Sequence, residues 1–249
     1  MSGHSKWHTI KHKKAATDAK RGKIFTRLIR EIQIAARHGG PDPESNPRLR
    51  SAITAAKGAS MPQDNIKRAI LRGSGGLEGE SLEEITFEGY GPAGVAVFVE
   101  TVTDNRNRTV SEVRHMFSKN GGNLGENGCV AYMFDRRSLI EVPKSAIGED
   151  DLMEAALGAG AEDMQEEDDN WLIVSDFTVH DQVLTALQGI NIEPASATIS
   201  RVPQTTVKLT GKQAASVLRM VDAIEEQDDV QNVYANFDID DEELEQLLA

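Results

Sequence analysis

The chain has 249 residues, and its 40 acidic residues outnumber its 27 basic ones, which gives a formal net charge of −13. The length allows two or three domains, and a hydrophobic content of 39% excludes a chain that is disordered throughout. No apolar run approaches the ~18 residues that a membrane-spanning helix needs, and we expect neither a secretory signal nor a membrane partner. Because the single cysteine, Cys129, cannot form an internal disulfide, we expect a reducing, cytoplasmic location.

The charge is divided unevenly along the chain. Residues 1–72 hold sixteen basic and five acidic residues, a net charge of +11, so that the remainder carries −24. The glycine-rich segment 73–79 separates the two parts and is typical of a flexible linker. Such asymmetry predicts that the N-terminal end binds a polyanion, while the acidic body stays away from it.

The basic part begins with an arm and a predicted amphipathic helix. Met1–Ala19 shows no apolar periodicity and predicts a basic arm. From Ile24 to Arg37 the apolar residues recur at helical spacing, and the lysines and arginines lie on the opposite side. Ile34 is the only apolar residue that interrupts this basic side. The pattern favours contact with a phosphate backbone over a membrane surface or a transit peptide.

Two shorter helices complete the predicted N-terminal domain. Asn46 and Pro47 predict the N-cap and first residue of a second helix, which ends at Gly58. Pro62 opens a third helix that ends near Gly73. We therefore expect a three-helix bundle with a basic arm over residues 1–76.

Beyond the linker, alternating apolar patterns predict two α/β domains. Residues 138–202 show the order βαββαβ, which is ferredoxin-like and complete in itself. We therefore predict an inserted domain over 138–202 within a domain formed by 80–137 plus 203–240, followed by an acidic tail over 241–249. Further strands are expected at Val130–Phe134 and at 205–210. The predicted fold class is α+β multidomain.

Patterns that would indicate catalysis or a cofactor are missing from the sequence. It contains no phosphate-binding P-loop, no G-x-S-x-G, no H-E-x-x-H and no C-x-x-C, so we expect neither an enzyme nor a small-molecule substrate or cofactor. His4, His8 and His12 have a spacing that would align three imidazoles for a metal on a helix. The interleaved lysines oppose a cation there, so phosphate contacts are favoured and no metal is expected.

Two features leave alternatives open. Trp7 lies in an otherwise polar arm and either packs on the bundle or stacks on a base. Arg106 and Arg108 begin a predicted helix in the acidic part, where internal salt bridges are slightly favoured over a second phosphate or protein contact.

The predicted nucleic-acid-binding residues all belong to the arm and the helical bundle. They are Lys6, Trp7, Lys11, His12, Lys13, Lys14, Lys20, Arg21, Lys23, Arg27, Arg30, Arg48 and Arg50.

Several blocks of the sequence resemble those of the YebC family over almost the whole chain. They include Gly3-His4-Ser5-Lys6-Trp7, Asp18-Ala19-Lys20-Arg21-Gly22-Lys23, Met61-Pro62-Gln63-Asp64-Asn65-Ile66, Thr103–Thr109, Gly121-Gly122-Asn123-Leu124-Gly125 and Asp228-Asp229-Val230-Gln231-Asn232-Val233-Tyr234. The resemblance implies a helical N-terminal domain, two α/β domains, no catalysis and a bacterial cytoplasmic location.

The family resemblance implies a nucleic-acid partner in one of two roles. Family members are described as regulators of transcription that bind promoter DNA, and as translation factors, including a mitochondrial activator of cytochrome oxidase synthesis. The residues that match the family blocks are Lys6, Lys11, Lys13, Lys14, Lys20, Arg21, Lys23, Arg27 and Arg30. Our first hypothesis is a DNA-binding transcriptional regulator, and the alternative is a translation factor that binds ribosomal RNA on the ribosome.

Overall fold

The protein is an α+β multidomain chain, as its sequence predicts. A computed structural model describes residues 18–77, 81–167 and 169–248. These residues form two compact units, one from those up to Tyr132 together with those from Thr205 onward, and the other from those between Met133 and Gln204. The predicted arm over Met1–Ala19 lies outside the described residues, except for its last two positions.

The described secondary structure consists of helices and short strands, and the strands pair antiparallel except for β8 with β10. In chain order the helices and strands are α1 (Asp18–Gly39), α2 (Pro47–Gly58), α3 (Gln63–Gly73), β1 (Glu83–Tyr90), β2 (Ala96–Thr103), α4 (Arg106–Lys119), β3 (Asn123–Leu124), β4 (Phe134–Pro143), α5 (Glu149–Gly158), β5 (Asp163–Glu167), β6 (Asn170–Asp176), α6 (His180–Gly189), β7 (Ser196–Pro203), β8 (Val207–Lys208), α7 (Gly211–Glu225), β9 (Val230–Ala235), β10 (Phe237–Asp238) and α8 (Asp241–Leu248).

Helices α1 to α3 form the predicted bundle around small apolar side chains. Ile32, Leu49 and Ile66 are buried at its centre, one from each helix. The Asn46 side chain caps α2 by accepting a hydrogen bond from the Leu49 backbone N–H at 3.1 Å. At Gly73 the backbones of α1 and α3 approach so closely that a Cβ would lie 2.3 Å from the Gln33 carbonyl oxygen.

The rest of the first unit is a four-stranded sheet with two helices packed on it. The strands lie in the order β3-β1-β2-β9, and each neighbouring pair is antiparallel. Phe117 of α4 and Met220 of α7 are fully buried in the core against sheet residues such as Val97 and Val99. Strand β9 lies at the edge of the sheet, beside β2, so the loop between α7 and β9 ends at this edge.

The second unit has the ferredoxin-like arrangement. Its elements follow the order β4-α5-β5-β6-α6-β7, and its sheet has the strand order β5-β6-β4-β7. Ile140, Leu152, Ile173 and Leu187 bury one face of that sheet beneath α5 and α6. The predicted βαββαβ order is thus confirmed.

Two predicted strands are wrong in extent. A 3₁₀ turn occupies Ala131–Met133, and the strand begins only at Phe134. The reason is that the backbone N–H groups of Val130 and Ala131 donate to the buried carboxylate of Glu88, at 2.8 and 2.7 Å, and not to a neighbouring strand. The strand predicted at 205–210 is reduced to the two-residue β8, which pairs with β10.

Within the described residues, no helix combines the length and apolar character that crossing a bilayer requires.

Candidate nucleic-acid interface

The predicted binding residues divide into three groups by position. Lys6, Trp7, Lys11, His12, Lys13 and Lys14 lie outside the described residues, and Lys20 and Arg21 lie in the first turn of α1. The side chains of Lys23, Arg27, Arg30, Arg48 and Arg50 are described. The binding role of all of them stays a prediction, and the contacts of the third group show what else these cations do.

The basic side of α1 lies against the C-terminal end of α7. We define the α1 stripe as Lys23, Arg27, Arg30, Ile34 and Arg37, which are spaced three or four residues apart. Lys23 donates from Nζ to the Glu226 carbonyl at 2.7 Å, and Arg27 donates to the Glu225 carbonyl. Carbonyls at a helix C-terminus have no partner within the helix and carry partial negative charge. Cations of the α1 stripe therefore complete the end of α7.

Burial also changes the pKa of Arg27. Desolvation lowers the pKa of this guanidinium, and the nearby carboxylates of Glu225 and Asp228 oppose the shift. The guanidinium is thus partly removed from water by its contact with the protein itself.

A buried carboxylate, Asp229, joins the α1 stripe to the sheet domain. Its side chain is 2% exposed and lies 2.9 Å from the guanidinium of Arg30 and 2.8 Å from that of Arg108. The hydroxyl of Thr109 donates to the same carboxylate at 2.6 Å. Burial opposes ionisation, but the hydrogen bonds from Thr109 and Arg108 and the two positive charges hold the pKa of Asp229 below its usual value.

Arg108 and Arg106 make the internal ion pairs that the sequence slightly favoured. Besides Asp229, Arg108 contacts Asp104 at 2.7 Å, and Arg106 lies 3.7 Å from Glu83.

Apolar contact completes this docking surface. Ile34, which interrupts the basic side of α1, is 1% exposed and packs with Leu82 and Val102 of the sheet domain. Arg37 donates to the Leu82 carbonyl at 2.6 Å. The burial of Ile34 explains why an apolar residue interrupts the basic side of α1.

The two arginines of α2 also contact neighbouring parts of the chain. Arg48 is 42% exposed and pairs with Glu31 at 2.7 Å and with Glu84 at 2.6 Å. Burial lowers the pKa of Arg48, but the hydrogen bonds to Glu31 and Glu84 outweigh it and raise the pKa, while Arg48 in turn lowers that of Glu84. Arg50 donates to the carbonyls of Pro43 and Glu44, at 3.1 and 3.3 Å.

A second basic surface, on α3, was missed as a candidate site. We define the α3 outer face as Lys67, Arg68, Leu71 and Arg72, all of which are exposed. Among the described residues no ion pair involves these three cations. Within the described part of the chain, Arg68 bonds only inside its own helix, to the Asp64 carbonyl at 3.3 Å and the Asn65 side chain at 3.2 Å. The signal was present in the sequence, since these cations lie opposite the buried Ile66 and Ala69.

The groups most suited to nucleophilic chemistry are poorly placed for it. Ser138 Oγ lies 2.7 Å from His180 Nδ1, but Ser138 is fully buried, so a substrate does not reach it. Burial also lowers the pKa of His180, against the effect of Asp181. Cys129 is half-buried in a loop, and burial with the Glu88 charge raises the pKa of its thiol. In the described part of the chain no three His, Cys, Asp or Glu side chains are grouped to hold a metal ion.

These features define a multidomain α+β protein in which a cationic helical domain is docked on an acidic sheet domain. Its sequence matches the family model described as the TACO1/YebC protein N-terminal domain over residues 5–76, and the model described as the TACO1/YebC second and third domain over residues 82–237. The chain belongs to the TACO1/YebC family.

Relatives match over their whole length. A protein of Solibacter usitatus named "Probable transcriptional regulatory protein" is 62% identical over 247 residues, 99% of each chain. One of Geobacter sp. (strain M21) with the same descriptive name is 57% identical over 248 residues, 100% of each chain. Among solved structures, a conserved hypothetical protein of Aquifex aeolicus is 50% identical, has a TM-score of 0.81, and matches over 90% of this chain and 93% of its own.

Proposed function

We propose that this protein regulates gene expression without catalysis, in the cytoplasm, by binding nucleic acid through its basic N-terminal domain. The observation that carries the proposal is the division of charge, +11 over residues 1–72 against −24 over the rest. Electrostatic attraction to phosphates supplies most of the affinity of a protein that does not read bases closely, and repulsion of the acidic body orients the approach.

Promoter DNA is the first candidate ligand, because the curated relatives are named probable transcriptional regulatory proteins. The contacts of the α1 stripe change which parts of the basic domain are proposed to bind the nucleic acid. Since Lys23, Arg27 and Arg30 bond to carbonyls and a carboxylate of the chain, the proposal places more of the binding on the arm and on the outer surfaces of α2 and α3.

The test measures binding of the full-length chain to a duplex and to a single-stranded RNA over a range of salt concentrations. In one variant the four arm lysines, Lys6, Lys11, Lys13 and Lys14, are changed to Gln. A matched control changes Lys119, Lys144, Lys208 and Lys212 to Gln, which alters the net charge equally but outside the basic domain.

We expect the arm variant to bind more weakly and the control to bind like the wild type. If all four lysines contact phosphates, the log–log salt slope on duplex DNA decreases by about 3.6. Equal losses in the two variants would show that net charge alone matters, and a wild type that binds neither ligand would refute the proposal.

The identity of the nucleic acid is decided by crosslinking in cells and sequencing of what is bound. Promoter fragments that exceed random duplex by ~10³ or more in affinity at physiological salt support the transcriptional role. Recovery of ribosomal RNA, with co-sedimentation on ribosomes, would instead support the translational alternative.

A further inference from the structure

We propose that the α3 outer face is a phosphate-binding surface for a nucleic-acid backbone. This inference deepens the proposed function and rests on it. It assigns Lys67, Arg68 and Arg72, which the sequence did not single out, as positive charges of the helical domain that have no ion-pair partner among the described residues.

Ion pairs are distributed unevenly over the basic residues of the chain. In a chain with an excess of carboxylates, arginines and lysines find acidic partners readily, as Arg30, Arg48, Arg108 and Arg137 do. The three cations of the α3 outer face have none within the described residues. The only acidic residue of α3 is Asp64 in its first turn.

The geometry of α3 places its cations in a row that suits a phosphate backbone. At 3.6 residues per turn, Lys67, Leu71, Arg68 and Arg72 fall within about 140° of the helix circumference. From Lys67 to Arg72 the helix rises about 7.5 Å along its axis. This rise is comparable to that of roughly two phosphates along the axis of a duplex, at 3.4 Å for each phosphate of one strand. Leu71 is 46% exposed between the cations, where it can contact sugar carbons while the charged groups reach the phosphates.

A concave surface lies at the C-terminal end of α3. Arg72 lines a cavity of about 600 Å³ together with Arg37, Pro41, Ser74 and Leu77. The guanidinium group of Arg72 is suited to phosphate oxygens, because its N–H donors form a planar fork. A strand that follows α3 towards its C-terminal end meets this opening last.

The rigid core beneath α3 makes the surface a stable platform. Ile66 and Ala69 are each 1% exposed, and Gly73 packs directly against the backbone of α1 at Gln33. The backbone positions that carry the three cations are therefore held at constant separation, which lowers the ordering cost of contacting successive phosphates.

The experiment compares four full-length proteins for binding to duplex DNA and to single-stranded RNA at several salt concentrations. The first is the wild type, and the second carries Lys67→Gln, Arg68→Gln and Arg72→Gln. The third keeps the charge, with Lys67→Arg, Arg68→Lys and Arg72→Lys. The fourth removes three charges elsewhere, with Lys119→Gln, Lys208→Gln and Lys212→Gln.

We expect the neutralised α3 variant to bind at least about tenfold more weakly at ~0.1 M salt, with a slope reduced by up to about 2.7 on duplex and about 2.1 on the single strand. The charge-conserving variant should retain most of the affinity, and the distant control all of it. All four should unfold at closely similar urea concentrations, because the substituted side chains are exposed.

Three results would overturn the inference. A neutralised variant with wild-type affinity and slope shows that the α3 outer face takes no part in binding. Equal loss in the distant control shows that only net charge matters. If the wild type binds neither ligand, the proposed function itself fails, whereas in the first two cases it survives without this surface.

Discussion

The α1 stripe and the α3 outer face are alike in sequence but opposite in the structure. Both are rows of lysine and arginine opposite an apolar helix face. The cations of the α1 stripe contact the end of α7, Asp229 and Leu82, and its one apolar member is buried. Those of the α3 outer face contact no carboxylate among the described residues. A basic amphipathic helix is therefore no proof of a ligand-binding surface, because an acidic domain of the same chain competes for the charges.

The largest expected effect comes from removing the carboxylate that holds the α1 stripe. Asp229→Asn should lower the free energy of unfolding by about 3 kcal/mol, because the partly buried guanidinium of Arg30 and the exposed one of Arg108 lose the buried carboxylate that they share. Urea unfolding monitored by circular dichroism measures the change. Asp228→Asn is the matched control, since the Asp228 side chain is exposed and its backbone carbonyl, which accepts from Arg30 at 2.6 Å, is unaltered. Similar losses in both variants would contradict the buried role of Asp229.

An intermediate effect on stability distinguishes the α1 stripe from the α3 outer face, when one arginine in each is changed to glutamine. Arg30→Gln should cost about 1–3 kcal/mol of stability, because Asp229 loses one of its charged partners within the protein. Arg68→Gln should change stability by less than about 0.5 kcal/mol, since its guanidinium is exposed. The same urea assay applies. If Arg68→Gln were as costly as Arg30→Gln, the α3 outer face would be structural and not a free surface.

The smallest effect concerns the exposed pair at the side of the α1 stripe, and it depends on pH. Because Arg48 lowers the pKa of Glu84 in the folded protein, the pair contributes stability above about pH 4.5, the ordinary pKa of a glutamate. This contribution is lost as the pH falls from there through the lowered, folded pKa. Arg48→Gln should therefore cost about 0.5–1 kcal/mol at pH 7 and less at pH 3.

Urea midpoints of wild type and Arg48→Gln between pH 7 and pH 3 test this prediction. Arg50→Gln serves as the control on the same helix, because Arg50 donates to the carbonyls of Pro43 and Glu44, which do not titrate. A difference between wild type and Arg48→Gln that stays constant over this pH range would show that the ion pair with Glu84 does not contribute.

Local signals in the sequence predicted the secondary structure well because they act within a few residues. The Asn46 cap and Pro47 defined the start of α2, and the helix predicted to begin at Arg106 is α4, whose cap Asn105 accepts from the Arg108 backbone N–H at 3.1 Å. The alternation of apolar residues predicted the βαββαβ order of the ferredoxin-like unit. The prediction failed at Val130 and Ala131, where the partner of the backbone, Glu88, lies about forty residues away.

By itself the sequence determined the α+β class, the boundaries of α2 and α3 and the division of charge, since these depend on composition and on local signals along the chain. Only the tertiary structure decided which charges remain available. Lys23, Arg27 and Arg30 meet partners about two hundred residues away in the chain, at the α7–β9 loop, and Lys67, Arg68 and Arg72 do not. Coulombic attraction and hydrogen bonding act through space over a few ångströms, and sequence separation carries no information on those distances.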